Sequence, residues 1–341
     1  RSGRDRSGRD RSGRDRSGRD RAARRSGGPG HRAARRSGGT GPRAARHRAG
    51  RLRAARDSGC RRQRGGAHCD RGDEIYLGDL SHIFLNESGS SSAVGGIHPR
   101  TIPNNEDGTI NLEDLEAAVR PDNVHYPRSR LLCLENTHNR CWGSPLGLDY
   151  LKSVFELAKR LGLRIHLDGA RIFNAALAEV VAVKKLTQGF DSVSFCFSKG
   201  LGAPVGSVIC GSKKFIKKAA RIRKQLGGGM RQAGIIAAGG VYALENLVDR
   251  LAEDHAMARR LAEGIHEIEG LEIQLERVRT NILFFELVDS RLTGTDLLAL
   301  AAARGLHFLP VAGGAFRMVT HYGLTMEDIE RAVETLQQVM G

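Results

Sequence analysis

The chain is 341 residues long, enough for two domains and a substantial core, so a folded enzyme body is the expectation. Residues 1–66 hold 23 arginines and 5 aspartates, net +18, so the whole-chain +16 leaves −2 for everything after; the basic charge describes a tail. No run approaches the ~20 apolar residues that span a bilayer, which excludes a helical membrane protein; residues 235–244, the longest candidate, are interrupted by two glycines.

Residues 1–20 are the pentapeptide RSGRD four times over, and RAARRSGGPGH and RAARRSGGTGP follow as imperfect copies. A unit without an apolar side chain buries no face, so residues 1–66 are expected to be a disordered Arg/Gly-rich segment. Nucleic-acid binding by this tail is disfavoured, because the first aromatic residue is Tyr76 and no stacking platform accompanies the charge. A transit peptide is disfavoured by the aspartate in each repeat. The composition also fits G- and C-rich codons read out of frame, so a mistranslated stretch is the favoured origin.

The six cysteines (Cys60, Cys69, Cys133, Cys141, Cys196, Cys210) form no CxxC pair, which points to a reducing compartment and a cytoplasmic location. His68 and Cys69 do not build a four-ligand site, so no metal is expected.

From residue 67 the chain acquires ordinary punctuation. Leu148, Leu151, Phe155, Ala158 and Leu161 recur at helical spacing and stop near Gly162. Leu163, Ile165 and Leu167 then alternate with Arg164 and His166, a strand that stops at Asp168-Gly169. A second apolar run, VSFCF at 193–197, ends at Ser198-Lys199 and the turn GLGAPVG, and 207–210 reads as another short strand. An apolar helical stretch runs to about Leu251 and a second helix to about Ile268. Strand-like runs at 281–287 and 316–320 alternate with helices at about 294–304 and 326–340, a small α+β domain. The expected organisation is α/β, with a large domain over 67–250 and a small C-terminal domain over 251–341.

Ligands of open α/β sheets sit beyond the carboxyl ends of strands, where both Asp168 and Lys199 fall. A lysine there, partly desolvated, suits attack on a carbonyl. An aspartate on a neighbouring strand suits the nitrogen of a pyridine ring. Taken singly, most lysines are solvated surface groups and Asp-Gly is a common turn; Asp168, Arg171 and Lys199, each at or just past a strand, are harder to dismiss. GLGAPVG is a weak dinucleotide fingerprint, since it follows the lysine and contains a proline.

The segments LENTHN (134–139), HLDGARIFNA (166–175), SFCFSKGLGAPVGS (194–207), LGGGMRQAG (226–234) and RMVTH (317–321) resemble the signature segments of threonine aldolases. The resemblance covers 67–341 and implies a pyridoxal-phosphate enzyme of fold type I, the aspartate-aminotransferase fold, usually a homotetramer. It implies Lys199 as the cofactor's covalent anchor, Asp168 at the pyridine nitrogen, Arg171 at the ring hydroxyl and His82 stacked on the ring. His82 and His138 would face the substrate hydroxyl, Glu87 would move protons, and Arg317 would bind the substrate carboxylate. Lys224 and Arg231 would meet the phosphate, from a neighbouring subunit. The implied reaction is retro-aldol cleavage of threonine or allo-threonine to glycine and acetaldehyde.

Two departures stand against that pattern. The family's Ser-Gly-Thr phosphate loop falls where this chain has arginine repeats, and Cys141-Trp142 puts an indole in a turn that is usually glycine-rich. An inactive pseudoenzyme, or another pyridoxal-phosphate lyase or racemase, therefore stands as an alternative expectation.

Overall fold

The computed structural model describes residues 67–311 and 313–341. The expectations for residues 1–66, the replaced phosphate loop among them, lie outside the described residues.

Six short strands make the centre of the fold. β1 (Asp73–Gly78) is buried along its whole length. Short helices α1 (His82–Leu85) and α2 (Ser90–Ala93) lead to β2 (His98–Ile102). Helix α3 (Leu112–Ala118), capped by the Asn111 side chain, precedes β3 (Arg128–Glu135). Helix α4 (Leu148–Arg160) turns Leu151, Val154, Leu157 and Ala158 inward, at the periodicity read from the sequence. β4 (Arg164–Asp168), helices α5 (Ile172–Ala178) and α6 (Val183–Thr187), and β5 (Ser192–Cys196) follow. Then β6 (Ser207–Gly211) returns along β5.

The six strands form one sheet in the order β2-β1-β3-β4-β5-β6. The first five run parallel, and β6 lies antiparallel to β5 as an edge. Glu135 and Asp168, the last residues of β3 and β4, are thereby paired, and Asp168 faces Ser194 in the middle of β5. Helices α3, α4 and α5 supply much of the main core, from Leu115 and Ala118 through Leu151 and Val154 to Ile172 and Ala175. Burial on both faces is why β3 holds a continuous apolar run over 131–134, whereas β4 alternates in sequence because its buried residues include His166.

Helices α7 (Lys213–Gln225), α8 (Gly234–Asn246) and α9 (Leu251–His266) connect this sheet to a second one. α7 turns Phe215 and Ala219 inward, with Ile216 and Ile222 packed against them, an apolar stripe at helical spacing. The second sheet has β7 (Leu271–Glu272), β8 (Ile282–Leu287), β9 (Leu309–Pro310) and β10 (Ala315–Val319) in the order β7-β8-β10-β9, every pair antiparallel. Helices α10 (Gly294–Ala303) and α11 (Met326–Met340) each start on a capping box, Thr293 with Asp296 and Thr325 with Asp328. Their apolar faces and that of α9 close a second core around Leu283, Phe285 and Phe316. Gly264 lets α9 and α11 approach: a Cβ there would lie 2.4 Å from Val333 Cγ2.

The Trp142 indole, in the turn after His138, meets the second sheet. It packs on Phe284 with centroids 5.3 Å apart, and the Arg277 guanidinium sits 4.6 Å over its ring.

Candidate active site

Parallel pairing aligns strand ends, so β3, β4 and β5 deliver Glu135, Asp168 and the 197–203 turn to one edge of the sheet. Lys199 lies three residues past the end of β5. With Arg171, Ser198, Gly202, Asn281, His321 and Tyr322 it lines an open cavity of about 370 Å³. Asp168, the last residue of β4, is 2% exposed.

The residues around this edge are organised by Glu135, itself buried. Its Oε2 accepts the backbone N–H of His82 at 2.6 Å, and its Oε1 the backbone N–H of Asn139 at 2.9 Å. One carboxylate thus fixes both the start of α1 and the loop after β3. The His82 imidazole in turn places Nε2 3.3 Å from Glu87 Oε1, a contact between two residues that the sequence names singly.

Asn139 extends the network. Its side-chain oxygen accepts from Arg171 Nη1 at 3.3 Å and from Arg317 Nη2 at 2.9 Å. Arg171 comes from the turn after β4 and Arg317 from β10, so the amide spans the two sheets. Burial and the Arg140 charge depress the Arg317 pKa below the usual guanidinium value. A cation in that position gains from an anionic partner.

His138 is almost fully buried, at 1% exposure. Its Nδ1 accepts the Cys141 backbone N–H at 3.3 Å, which leaves Nε2 to carry the proton of the neutral ring. Burial lowers its pKa, against the pull of nearby Glu135 and Asp168. Lys224 and Arg231 are exposed and do not line the Lys199 cavity.

Sequence reasoning missed Glu135 and Asn139, although both lie in the quoted LENTHN segment. Only their spacing of four residues was legible, and the strand that Glu135 ends went unread. What they touch comes from α1, the turn after β4 and β10, distant in sequence.

Parallel strands with Lys199 past one end and Asp168 at the next define the fold of pyridoxal-phosphate enzymes related to aspartate aminotransferase. The aspartate aminotransferase of Rhizobium meliloti superposes with a TM-score of 0.61 at 18% identity, over 85% of this chain and 76% of that one. A threonine aldolase structure from Leishmania major superposes with a TM-score of 0.72 at 21% identity, over 84% and 83% of the chains. The family model for beta-eliminating lyases matches residues 65–289. Low-specificity L-threonine aldolase 1 of Arabidopsis thaliana is 45% identical over 277 residues, 80% of this chain and 77% of that protein. The low specificity L-threonine aldolase of Escherichia coli K12 is 41% identical over 263 residues, covering 77% and 76%. The chain belongs to the beta-eliminating lyase family, among the relatives of the threonine aldolases.

Among the described residues, no helix is long and apolar enough to cross a membrane.

Proposed function

We propose that this chain is a pyridoxal-phosphate-dependent lyase that cleaves L-threonine and L-allo-threonine between Cα and Cβ, yielding glycine and acetaldehyde. The observation that carries the reading is the convergence of Lys199, Asp168 and Arg171 at the ends of neighbouring parallel strands, with Arg317 brought in from the second sheet.

The donor set fits the cofactor. An amine suits its aldehyde, a buried carboxylate its pyridine nitrogen and a guanidinium its ring oxygen, and Lys199 and Arg171 line one cavity. When bound, the cofactor supplies an electron sink for the pair released as the Cα–Cβ bond breaks.

The remaining roles belong to the chain's own groups. Lys199 would hold the cofactor through its amine, Asp168 would keep a proton on the ring nitrogen, and Arg171 would meet the ring hydroxyl. Arg317 takes the substrate carboxylate, its unfavourable desolvation relieved by that anion. His82 would stack on the ring and accept the β-hydroxyl proton, directly or through water, and Glu87, 3.3 Å from its Nε2, would stabilise the imidazolium that results. His138, neutral and bearing its proton on Nε2, donates a hydrogen bond to the same oxygen. Lys224 and Arg231 serve the phosphate of a neighbouring copy.

The proposal includes a cytoplasmic homotetramer and a division into a cofactor domain at 67–250 and a small domain at 251–341. Exposed apolar side chains on α8, with Ile235 at 90% and Tyr242 at 60%, support assembly.

A second reading, an inactive relative, has its own support: the family match begins at residue 65, after the arginine repeats that stand where a phosphate loop would be. Purification of the full chain with pyridoxal phosphate separates the two. The lyase reading expects an absorbance band near ~420 nm that borohydride fixes on Lys199, with glycine and acetaldehyde formed from allo-threonine. A folded protein with neither is the inactive relative.

A further inference from the structure

Two guanidinium groups that meet at one point repel each other, and something must hold them there. At this site the holder is a neutral amide. Asn139 Oδ1 accepts from Arg171 Nη1 and from Arg317 Nη2, at 3.3 and 2.9 Å. The amide is itself anchored, because the Asn139 N–H donates to the buried Glu135 carboxylate at 2.9 Å. The loop that carries it is closed on itself by His138 N–H to Ser144 O and Gly143 N–H to His138 O, both 2.9 Å.

The chemical type of the acceptor matters as much as its place. A carbonyl oxygen orients both cations and neutralises neither, whereas a carboxylate would take the place of the anions the site is built to receive. We propose that Asn139 is a positioning residue that sets the spacing of Arg171 and Arg317 across the two sheets and leaves both charges available to the anionic oxygens of the cofactor ring and of the amino acid. The inference rests on the roles given above to Arg171 and Arg317, and it adds that the neutrality of residue 139 is a requirement for substrate affinity.

The test uses the full chain and variants at this position. In cofactor-free protein, Asn139→Asp places a carboxylate between two guanidinium groups, so its melting temperature rises by about 4 °C or more, and Asn139→Ala lowers it. With pyridoxal phosphate bound, Asn139→Asp raises KM for allo-threonine and the dissociation constant of glycine about tenfold or more, with kcat changed less than about threefold. Asn139→Gln, which keeps a neutral carbonyl, restores most of the affinity. A glycine dissociation constant for Asn139→Asp within about twofold of the parent overturns the proposal, as does an unchanged melting temperature in the cofactor-free protein. If Asn139→Asp does not fold, Asn139→Ala decides: unchanged glycine affinity overturns the proposal, and weakened affinity that Asn139→Gln restores supports it. A parent chain without a Lys199-dependent band overturns the lyase reading separately, and the cofactor-free melting comparison then decides the role of Asn139 alone.

Discussion

The backbone N–H of His82 donates to Glu135 Oε2 at 2.6 Å, so the carboxyl end of β3 fixes where the imidazole stands. The second carboxylate oxygen holds Asn139, which couples two loops through one buried group. Glu135→Gln leaves one of the two acceptors and turns the other into a donor facing a donor. The expected outcome is a loss of about 1–3 kcal/mol in urea unfolding, together with a roughly tenfold fall in kcat as His82 is displaced. Unchanged kcat in a folded variant would show that His82 does not depend on Glu135.

Lys199→Ala removes the amine from the cavity without disturbing β5, which ends three residues earlier. Loss of the band near ~420 nm and a rate reduced roughly 10³-fold or more are expected, with a circular dichroism spectrum like the parent's. A variant that keeps the band would place the covalent anchor elsewhere.

Arg317→Lys keeps a charge but loses the planar fork that meets both Asn139 and a carboxylate. Steady-state kinetics should give a KM raised about tenfold or more with a smaller change in kcat. Equal falls in kcat and kcat/KM would argue against carboxylate binding at this position.

Acid stability should be set in part by two desolvated imidazoles, His68 and His255. Burial lowers His68, hydrogen-bonded to Ser192 at 2.6 Å, from 6.5 to about 4, and lowers His255, bonded to Asn174 at 3.1 Å, likewise to about 4. Both folded pKa values lie below the unfolded one, so the unfolded chain binds more protons between them. The stabilisation is therefore full above pH 6.5, falls as the pH drops toward 4, and is gone below. Each histidine contributes on the order of 3 kcal/mol over that window. Melting temperatures measured against pH should show the slope, and His68→Gln or His255→Gln should each flatten it; a slope untouched by both substitutions would refute the assignment.

Gly143 sits at φ +67, with space for a Cβ only 2.8 Å from Ile282 Cβ and Thr280 Oγ1. Gly143→Ala combines an unfavourable backbone region with a clash against β8, and a loss of about 2 kcal/mol or more in chemical denaturation is expected. Thr280 also donates to Gly143 O at 2.9 Å, so the damage should spread to the contact between the loop and the second sheet.

Much of the chain was legible as elements. The helix read over 148–161 is α4, the strand read at 163–167 is β4, and the run at 193–197 is β5 with a one-residue offset. The last helix, with Thr325 and Asp328 at its start, was legible through to Met340. The strands β1, β2 and β3 went unread. β1 buries Asp73 and Glu74 beside its apolar residues, β2 shows only one buried residue, and β3 is buried without alternation in its second half, so none carries a period-two signal. That β6 runs against its neighbour was equally hidden, because strand direction leaves no trace in a five-residue apolar run.

The sequence by itself determined which chemistry the chain holds: a lysine and an aspartate at strand ends, an arginine beside each sheet, and motifs in the order of the threonine aldolases. Local periodicity and strand punctuation suffice for that, since each feature depends on near neighbours in the chain. Only the tertiary structure decided how those groups meet. Parallel pairing put Glu135 next to Asp168, and the crossing from β10 brought Arg317 onto Asn139, 178 residues away. Contacts over such separations arise from the packing of two cores that no local pattern records, and for that reason Asn139 and Glu135 became visible only when the chain was folded.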